Sequence, residues 1–258
     1  MLKDNNRYIL NIKQFCNADV TISNPEVSGK IHNVFIVQYQ NKKTVFRFSQ
    51  LECALRNADI SRILTRHGFN VPWVSVVQIG SEYCEVYPYI QGKTLSERAK
   101  HGISPEQIKK IYNQLIEISY DLAAIPTNEI KEDYNINTRW QDKAKNIFFN
   151  SINHTQKQIC HTDLHQGNIL LDNQDNVCAI LDLDGINKGS LELAIFNIMY
   201  FAQSYGYTFK DLKYYYPKTY DGKFFNMEQQ LKIYSTARTV YRLMTGQYIK
   251  NKLALQKR

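Results

Sequence analysis

The sequence predicts an α+β fold in two lobes: a small antiparallel-sheet lobe, then a larger helical one. Three observations carry this. Strand-like alternation crowds the chain before residue 90, helical periodicity takes over after residue 104, and two polar motifs interrupt short apolar runs in the second half.

The strands come first. Val34–Gln40 and Thr44–Phe48 flank the short turn Asn41–Lys43 and predict a hairpin. Leu51–His67 predicts a helix stopped by Gly68. Trp73–Ile79 and Tyr83–Ile90 predict two further strands around Gly80–Ser81, and the hinge between lobes falls near Pro88–Gly92. The division expected from this is 1–89 and 90–258. Ser104–Pro105–Glu106–Gln107 then has the form of a helix start, with a serine cap, proline at the first helical position and glutamine at the third. Ile108, Ile111, Tyr112, Leu115, Ile118 and Leu122 continue it as an apolar stripe. Further helices are expected over Trp140–Phe149, Leu191–Tyr205 and Met227–Tyr248.

Composition narrows the class. Hydrophobic residues make up 43% of the 258, enough for a packed core without staples. The five cysteines are odd in number, scattered and free of any CxxC pair, which reads as reduced thiols in a cytoplasmic protein. The polar, mixed-charge start is not a signal peptide. The longest apolar stretch, Leu191–Ala202, is broken by Glu192 and Asn197 and is too short to span a bilayer, so a buried helix is expected. The net charge of +8 reads as a solvated surface, because the basic residues form no long run. No nucleic-acid partner is expected. The densest basic cluster is Lys250–Arg258, and the sequence does not specify an oligomeric state.

The chemistry concentrates in His161–Thr162–Asp163–Leu164–His165–Gln166–Gly167–Asn168 and, further on, in Leu181–Asp182–Leu183–Asp184. Ile169–Leu171 and Val177–Leu181 read as strands between them, joined by the turn Asp172–Asn176. A polar turn between buried strands explains one Asp or Asn, but not four polar positions at these spacings. Phosphoryl transfer depends on positioning and charge neutralisation. It needs a carboxylate to take the proton of an attacking hydroxyl, with an amide oxygen and further carboxylates to hold magnesium. The spacing fits the kinase catalytic loop H-R-D-L-x-x-x-N, with Thr162 in place of the arginine.

The strings HTDLHQGNILLD and AILDLD resemble the aminoglycoside phosphotransferase and choline kinase superfamily, whose fold is protein-kinase-like. Leu191–Glu192–Leu193–Ala194 resembles a further family feature. The resemblance implies Asp163 as catalytic base, Asn168, Asp182 and Asp184 as magnesium ligands, and His161 as a structural support of the loop. His165 is either a supporting residue or solvent-facing. ATP is the implied phosphate donor, with GTP used instead by some relatives, and magnesium the implied cofactor. By the same resemblance, 1–89 is the nucleotide-binding lobe and 90–258 the catalytic and acceptor-binding lobe.

Ser28–Val37 resembles the family's nucleotide loop and following strand, with Gly29 as its one glycine. In Thr44–Phe48, alternation puts Val45 and Arg47 on one face and Phe46 and Phe48 on the other. The resemblance makes Val45 the apolar contact to adenine and Arg47 the phosphate-binding cation, where arginine offers a fork and lysine a point charge. Relatives carry a glutamate on the next helix to pair with that cation. Here Asn57 stands near that place, flanked by Glu52 and Asp59, and Glu52 is the expected partner. Backbone groups of Pro88 and Ile90 would bind adenine, with Tyr87 at the back of the pocket.

Only seven residues separate Asp184 from Glu192, too few for the activation segment of a protein kinase. The expected acceptor is therefore a small hydroxylated molecule: choline, an amino alcohol or a sugar. An antibiotic-inactivating phosphotransferase of the aminoglycoside type is the alternative. A non-catalytic pseudokinase is the alternative of another class. The many aromatics after Tyr200 suit a core first and a cation-binding pocket second.

Overall fold

A computed structural model describes residues 5–24, 33–131, 158–189, 191–202 and 205. The helices expected over 140–149 and 227–248, Gly29 with its loop, and the basic tail lie outside them.

The first element, helix α1 (Asn5–Cys16), is one the sequence reading did not anticipate. Strands β1 (Thr21–Ser23), β2 (Asn33–Tyr39) and β3 (Lys42–Ser49) follow, then helix α2 (Leu51–Arg66), β4 (Ser75–Ile79) and β5 (Glu82–Pro88). The five strands form one antiparallel sheet in the order β1-β2-β3-β5-β4. The expected hairpin forms with a tighter turn, because Tyr39 pairs Lys42 and Gln40 takes a left-handed φ of 54°. Strand β4 starts at Ser75, not Trp73: the Ser61 hydroxyl donates to the Pro72 carbonyl and accepts from the Val74 amide, which diverts that backbone from the sheet. Helix α2 ends as expected, with Gly68 at φ +84°.

Alternation along β3 divides the sheet as predicted. Phe46 and Phe48 join Ile12, Phe35, Val37, Ile79 and Cys84 in a core closed by α1, where the Tyr8 ring lies 4.4 Å from that of Phe48. Arg47 projects to the opposite face.

Beyond the hinge come β6 (Lys93–Thr94), α3 (Leu95–Lys100) and α4 (Pro105–Ala124). Both helices start on reciprocal capping boxes, Thr94 with Glu97 and Ser104 with Gln107. The stripe of α4 is buried at Ile108, Ile111, Tyr112, Leu115 and Leu122, with Ile118 partly buried. Strands β7 (Gln158–His161) and β10 (Ile186–Gly189) pair antiparallel, and β6, β8 (Ile169–Leu171) and β9 (Val177–Ile180) form a second small sheet. Helix α5 (Leu191–Ala202) closes this core with Leu191, Ile195, Ile198 and Met199. No helix among the described residues is long and apolar enough to cross a membrane. All five cysteines are free.

The β8–β9 turn is held from two helices. Asp175, at φ 57° and buried, accepts from Arg98 Nε at 2.7 Å and Nη2 at 3.0 Å, and from Gln107 Nε2 at 2.7 Å. Asp172 Oδ1 accepts the amides of Gln174 and Asn176, an aspartate turn that fixes the loop between the two motifs.

Leu115→Ala, at a fully buried position of α4, is expected to lower stability by about 2–5 kcal/mol, and loss of the cap in Ser104→Ala by about 1 kcal/mol. Urea unfolding of the two variants measures this ratio.

Candidate active site

The two polar motifs meet because β7 and β10 are neighbours. Ile186 pairs His161, so the loop after β7 and the turn before β10 lie side by side. Bonds from Thr162, Asn187 and His161 stitch them. The Thr162 amide and hydroxyl both donate to the Gly185 carbonyl, at 2.8 and 3.1 Å. Asn187 Nδ2 donates across to the Thr162 hydroxyl at 3.4 Å as well as to the same carbonyl at 3.1 Å. His161 is fully buried and bridges the motifs: its Nδ1 accepts the Asp163 amide at 3.2 Å, so Nε2 carries the proton and donates to the Leu181 carbonyl at 3.2 Å. Burial lowers the His161 pKa from its ordinary value, which keeps this ring neutral and the tautomer fixed.

Gly185 is where that packing is tightest. A Cβ there would collide with the His161 ring, so the residue after Asp184 must be glycine. Asp182 itself sits at φ 59°, ψ 70°, a left-handed conformation that a non-glycine residue holds only when its surroundings impose it. The imposing contacts are the short 3-10 turn Leu183–Gly185 and Arg56 of α2. The buried Arg56 guanidinium donates to the carbonyls of Leu183 and Ile186 and to Asn187 Oδ1, clasping the turn at both ends.

Asn168 is set by the same loop. Its Nδ2 donates to the Asp163 carbonyl at 3.0 Å, and its own carbonyl accepts the Leu181 amide at 2.8 Å. With the nitrogen committed to the protein, the amide oxygen is the group this residue can offer a cation. The Gly167 amide donates to His165 Nδ1, and the His165 ring lies 6.0 Å from Phe201 on α5, so His165 packs within the loop.

Arg47 reaches this assembly from β3. It is buried, yet three carboxylates surround it. Nη1 donates to both oxygens of Glu85, at 2.9 and 3.1 Å, while Nη2 donates to Asp182 Oδ1 at 3.2 Å and to Asp184. Desolvation pulls against the guanidinium charge, but Glu85, Asp184 and Asp182 together raise its pKa above the ordinary value. Glu85 is 2% exposed, and burial pushes its carboxyl up. Arg47, Ser49 and Asn57 oppose that shift; all three donate to it, the pattern of an ionised acceptor. Val45 is buried one step along the strand, on the same face.

The expected partner of Arg47 needs correction. Glu52 lies in the first turn of α2, but the structure pairs Arg47 with Glu85, Asp182 and Asp184. The reason is register. Strand β5 lies beside β3, Arg47 stands directly opposite Glu85, and an acid at that distance needs no reach from the helix. The helix contributes Asn57 instead, whose Nδ2 donates to Glu85 at 3.2 and 3.3 Å and to Asp184 Oδ1 at 2.7 Å.

The hinge backbone follows the strand pattern. The Tyr89 amide bonds the Lys43 carbonyl at 3.0 Å, so Tyr89 is still paired to β3, and alternation turns the backbone groups of Pro88 and Ile90 away from that strand. Tyr87 packs against the helical-lobe core, and burial raises the pKa of its phenol.

The phosphotransferase enzyme family model matches residues 136–191, the segment holding both motifs. No curated protein matches the chain in sequence. Similar solved structures include APH(2")-IIia with GDP and kanamycin (TM-score 0.65, 14% identity, 95% of this chain and 93% of that one). The ADP-bound aminoglycoside phosphotransferase APH(2'')-Ib has a TM-score of 0.63 at 13% identity, over 94% of this chain and 91% of that one. The streptomycin–ATP complex of APH(2")-IIa has a TM-score of 0.60 at 14% identity, over 99% and 96%. The two-lobed protein-kinase-like fold is therefore present, and the superfamily resemblance read from the sequence is borne out.

Gly185→Ala is expected to cost about 1–3 kcal/mol through overpacking, and less in a His161→Ala background where the colliding ring is gone. Thermal unfolding of the two singles and the double measures the difference.

Proposed function

We propose that this protein is a magnesium-dependent phosphotransferase that moves the γ-phosphate of ATP to a hydroxyl of a small molecule. The observation that carries the reading is the convergence of Arg47, Asp182 and Asp184 beside the loop of Asp163 and Asn168. Residues 1–89 would bind the nucleotide, with Val45 against adenine and the Pro88 carbonyl and Ile90 amide on its edge. Residues 90–258 would carry the catalytic loop and the acceptor pocket.

The residues present fit magnesium. The available donors are hard oxygens, which that ion prefers. One guanidinium faces three carboxylates, an excess of negative charge that a divalent cation balances. Asp182 is the freer ligand, since its carboxylate meets Arg47 through one oxygen, whereas Asp184 receives Arg47 on one oxygen and Asn57 on the other. Asn168 would add its amide oxygen. Among the described residues no three His, Cys, Asp or Glu side chains form a metal cluster, so phosphate oxygens and water would complete the shell. Magnesium bound there would neutralise charge on the transferring phosphate.

In this reading Asp163 orients the acceptor hydroxyl and takes its proton as the new O–P bond forms and ADP leaves. Arg47, with Nη1 held by Glu85, would offer phosphate oxygens its Nη2 edge, the one that faces Asp182 and Asp184. Choline, an amino alcohol or a sugar is the favoured acceptor. The kanamycin and streptomycin complexes of the similar structures favour an aminoglycoside as second reading, against which the net charge of +8 weighs.

The test is ADP release from magnesium-ATP and magnesium-GTP over choline, ethanolamine, sugars, amino acids and aminoglycosides. Turnover is expected with one acceptor group, falling about 10²–10⁴-fold in Asp163→Ala. Nucleotide binding without turnover on any acceptor would favour a pseudokinase, and no nucleotide binding at all would refute the reading.

A further inference from the structure

Resting on the reading above, we propose that Glu85 and Asn57 are positioning residues that hold the phosphate-binding Arg47 and the metal-side Asp184 as one rigid unit, with the counter-acid supplied by the neighbouring strand. Three observations support this.

The first is placement. Glu85 is opposite Arg47 in the β3–β5 register and 2% exposed, so its carboxylate has no role at the surface. Every donor around it (Arg47 Nη1, the Ser49 hydroxyl at 2.8 Å and Asn57 Nδ2) holds it still. A buried, fully paired glutamate on a rigid strand fixes one edge of the guanidinium and leaves Nη2 facing Asp182 and Asp184.

The second is charge. With the acid supplied by β5, an acid on α2 at position 57 would place a fourth carboxylate around one guanidinium. Like charges that close disfavour one another's ionised form. A neutral amide avoids this, and its NH₂ bridges two carboxylates, Glu85 and Asp184. Asn57 is fully buried, so its bond to Glu85 is made away from competing water, while Asp184 keeps a partly exposed edge.

The third is an unmet polar group. Asn57 Oδ1 is buried and, among the described residues, accepts no hydrogen bond. Leaving a buried acceptor unpaired costs about 1–3 kcal/mol. A side chain chosen for packing alone would not carry that cost. The amide is retained for the donor end, which points at the two carboxylates.

The test measures affinity for magnesium-ADP by titration calorimetry, alongside KM for ATP and kcat, in the full-length chain. Glu85→Gln is expected to weaken nucleotide binding by roughly tenfold to a hundredfold, the size expected for loss of a hydrogen-bonded charge partner. Arg47→Gln should do the same. The double variant Arg47→Gln/Glu85→Gln should lose no more than Arg47→Gln alone, because Glu85 acts through Arg47. Removing both charges also avoids stranding a buried one, so this double reports even where Glu85→Gln alone fails to fold. The exchange variant Glu85→Gln/Asn57→Glu, which places the acid on the helix, should recover affinity to within about threefold of the starting protein. Additive losses in the double, or an unchanged affinity in Glu85→Gln with Arg47→Gln impaired, would overturn the proposal and leave the phosphotransferase reading standing. Absence of nucleotide binding in the unaltered protein would overturn both.

Discussion

A single buried cation organises the cleft. Arg47 leaves water at a large desolvation cost, and that cost is met only because strand β5, helix α2 and the Asp182–Asp184 turn each bring a group to it or to its partners. Interactions of this kind are demanding in both directions: complete, they specify one arrangement, and with one partner missing they destabilise it. The position of α2 is therefore set by polar contacts on its inner side, Asn57 and Arg56, as much as by Ala58, Ile60 and Leu64 in the apolar core. The Asp182–Asp184 turn is set in the same way, held by Arg56 from one side and by His161 and Thr162 from the other.

Most of the architecture was legible because it follows from local rules. The α4 cap and stripe, the Gly68 stop, the β2–β3 hairpin and the aspartate turn at 172–176 each rest on a few consecutive residues. Where the reading slipped, a distant residue had intervened. Ser61 captures the backbone at Pro72 and Val74 and delays β4. Helix α1 has a polar composition that hides its apolar side, Tyr8, Ile9, Ile12 and Cys16, until the sheet it covers is known.

The candidate site divides along the same line. Asp163, Asn168, Asp182 and Asp184 stood out because two short motifs carry them. The counter-acid of Arg47 did not, since local reasoning looked along the chain to α2, while the acid lies across a strand pairing that skips from β3 to β5. Glu85 sat in plain view as a charged residue in an apolar strand; knowing which strand lay beside it was the missing step. Gly185 likewise gave no signal alone, because its necessity comes from the His161 ring above it.

The hinge carries a consequence for how this molecule can open. Immediately after the Pro88–Ile90 segment, Gly92 passes so close to β8 that an added Cβ would lie 2.6 Å from the Leu171 carbonyl, and Lys93–Thr94 then pair with Leu170–Leu171. The linker is thus pinned to the strand that follows Asn168 within two residues of leaving the sheet. With so short a free span, sliding of the linker along β8 would cost those pairings, and Arg56 and Asn57 of α2 tie the two lobes a second time at the turn over Leu183–Asn187. Opening would therefore have to break buried polar bonds, while the backbone that would face a base stays where β8 anchors it.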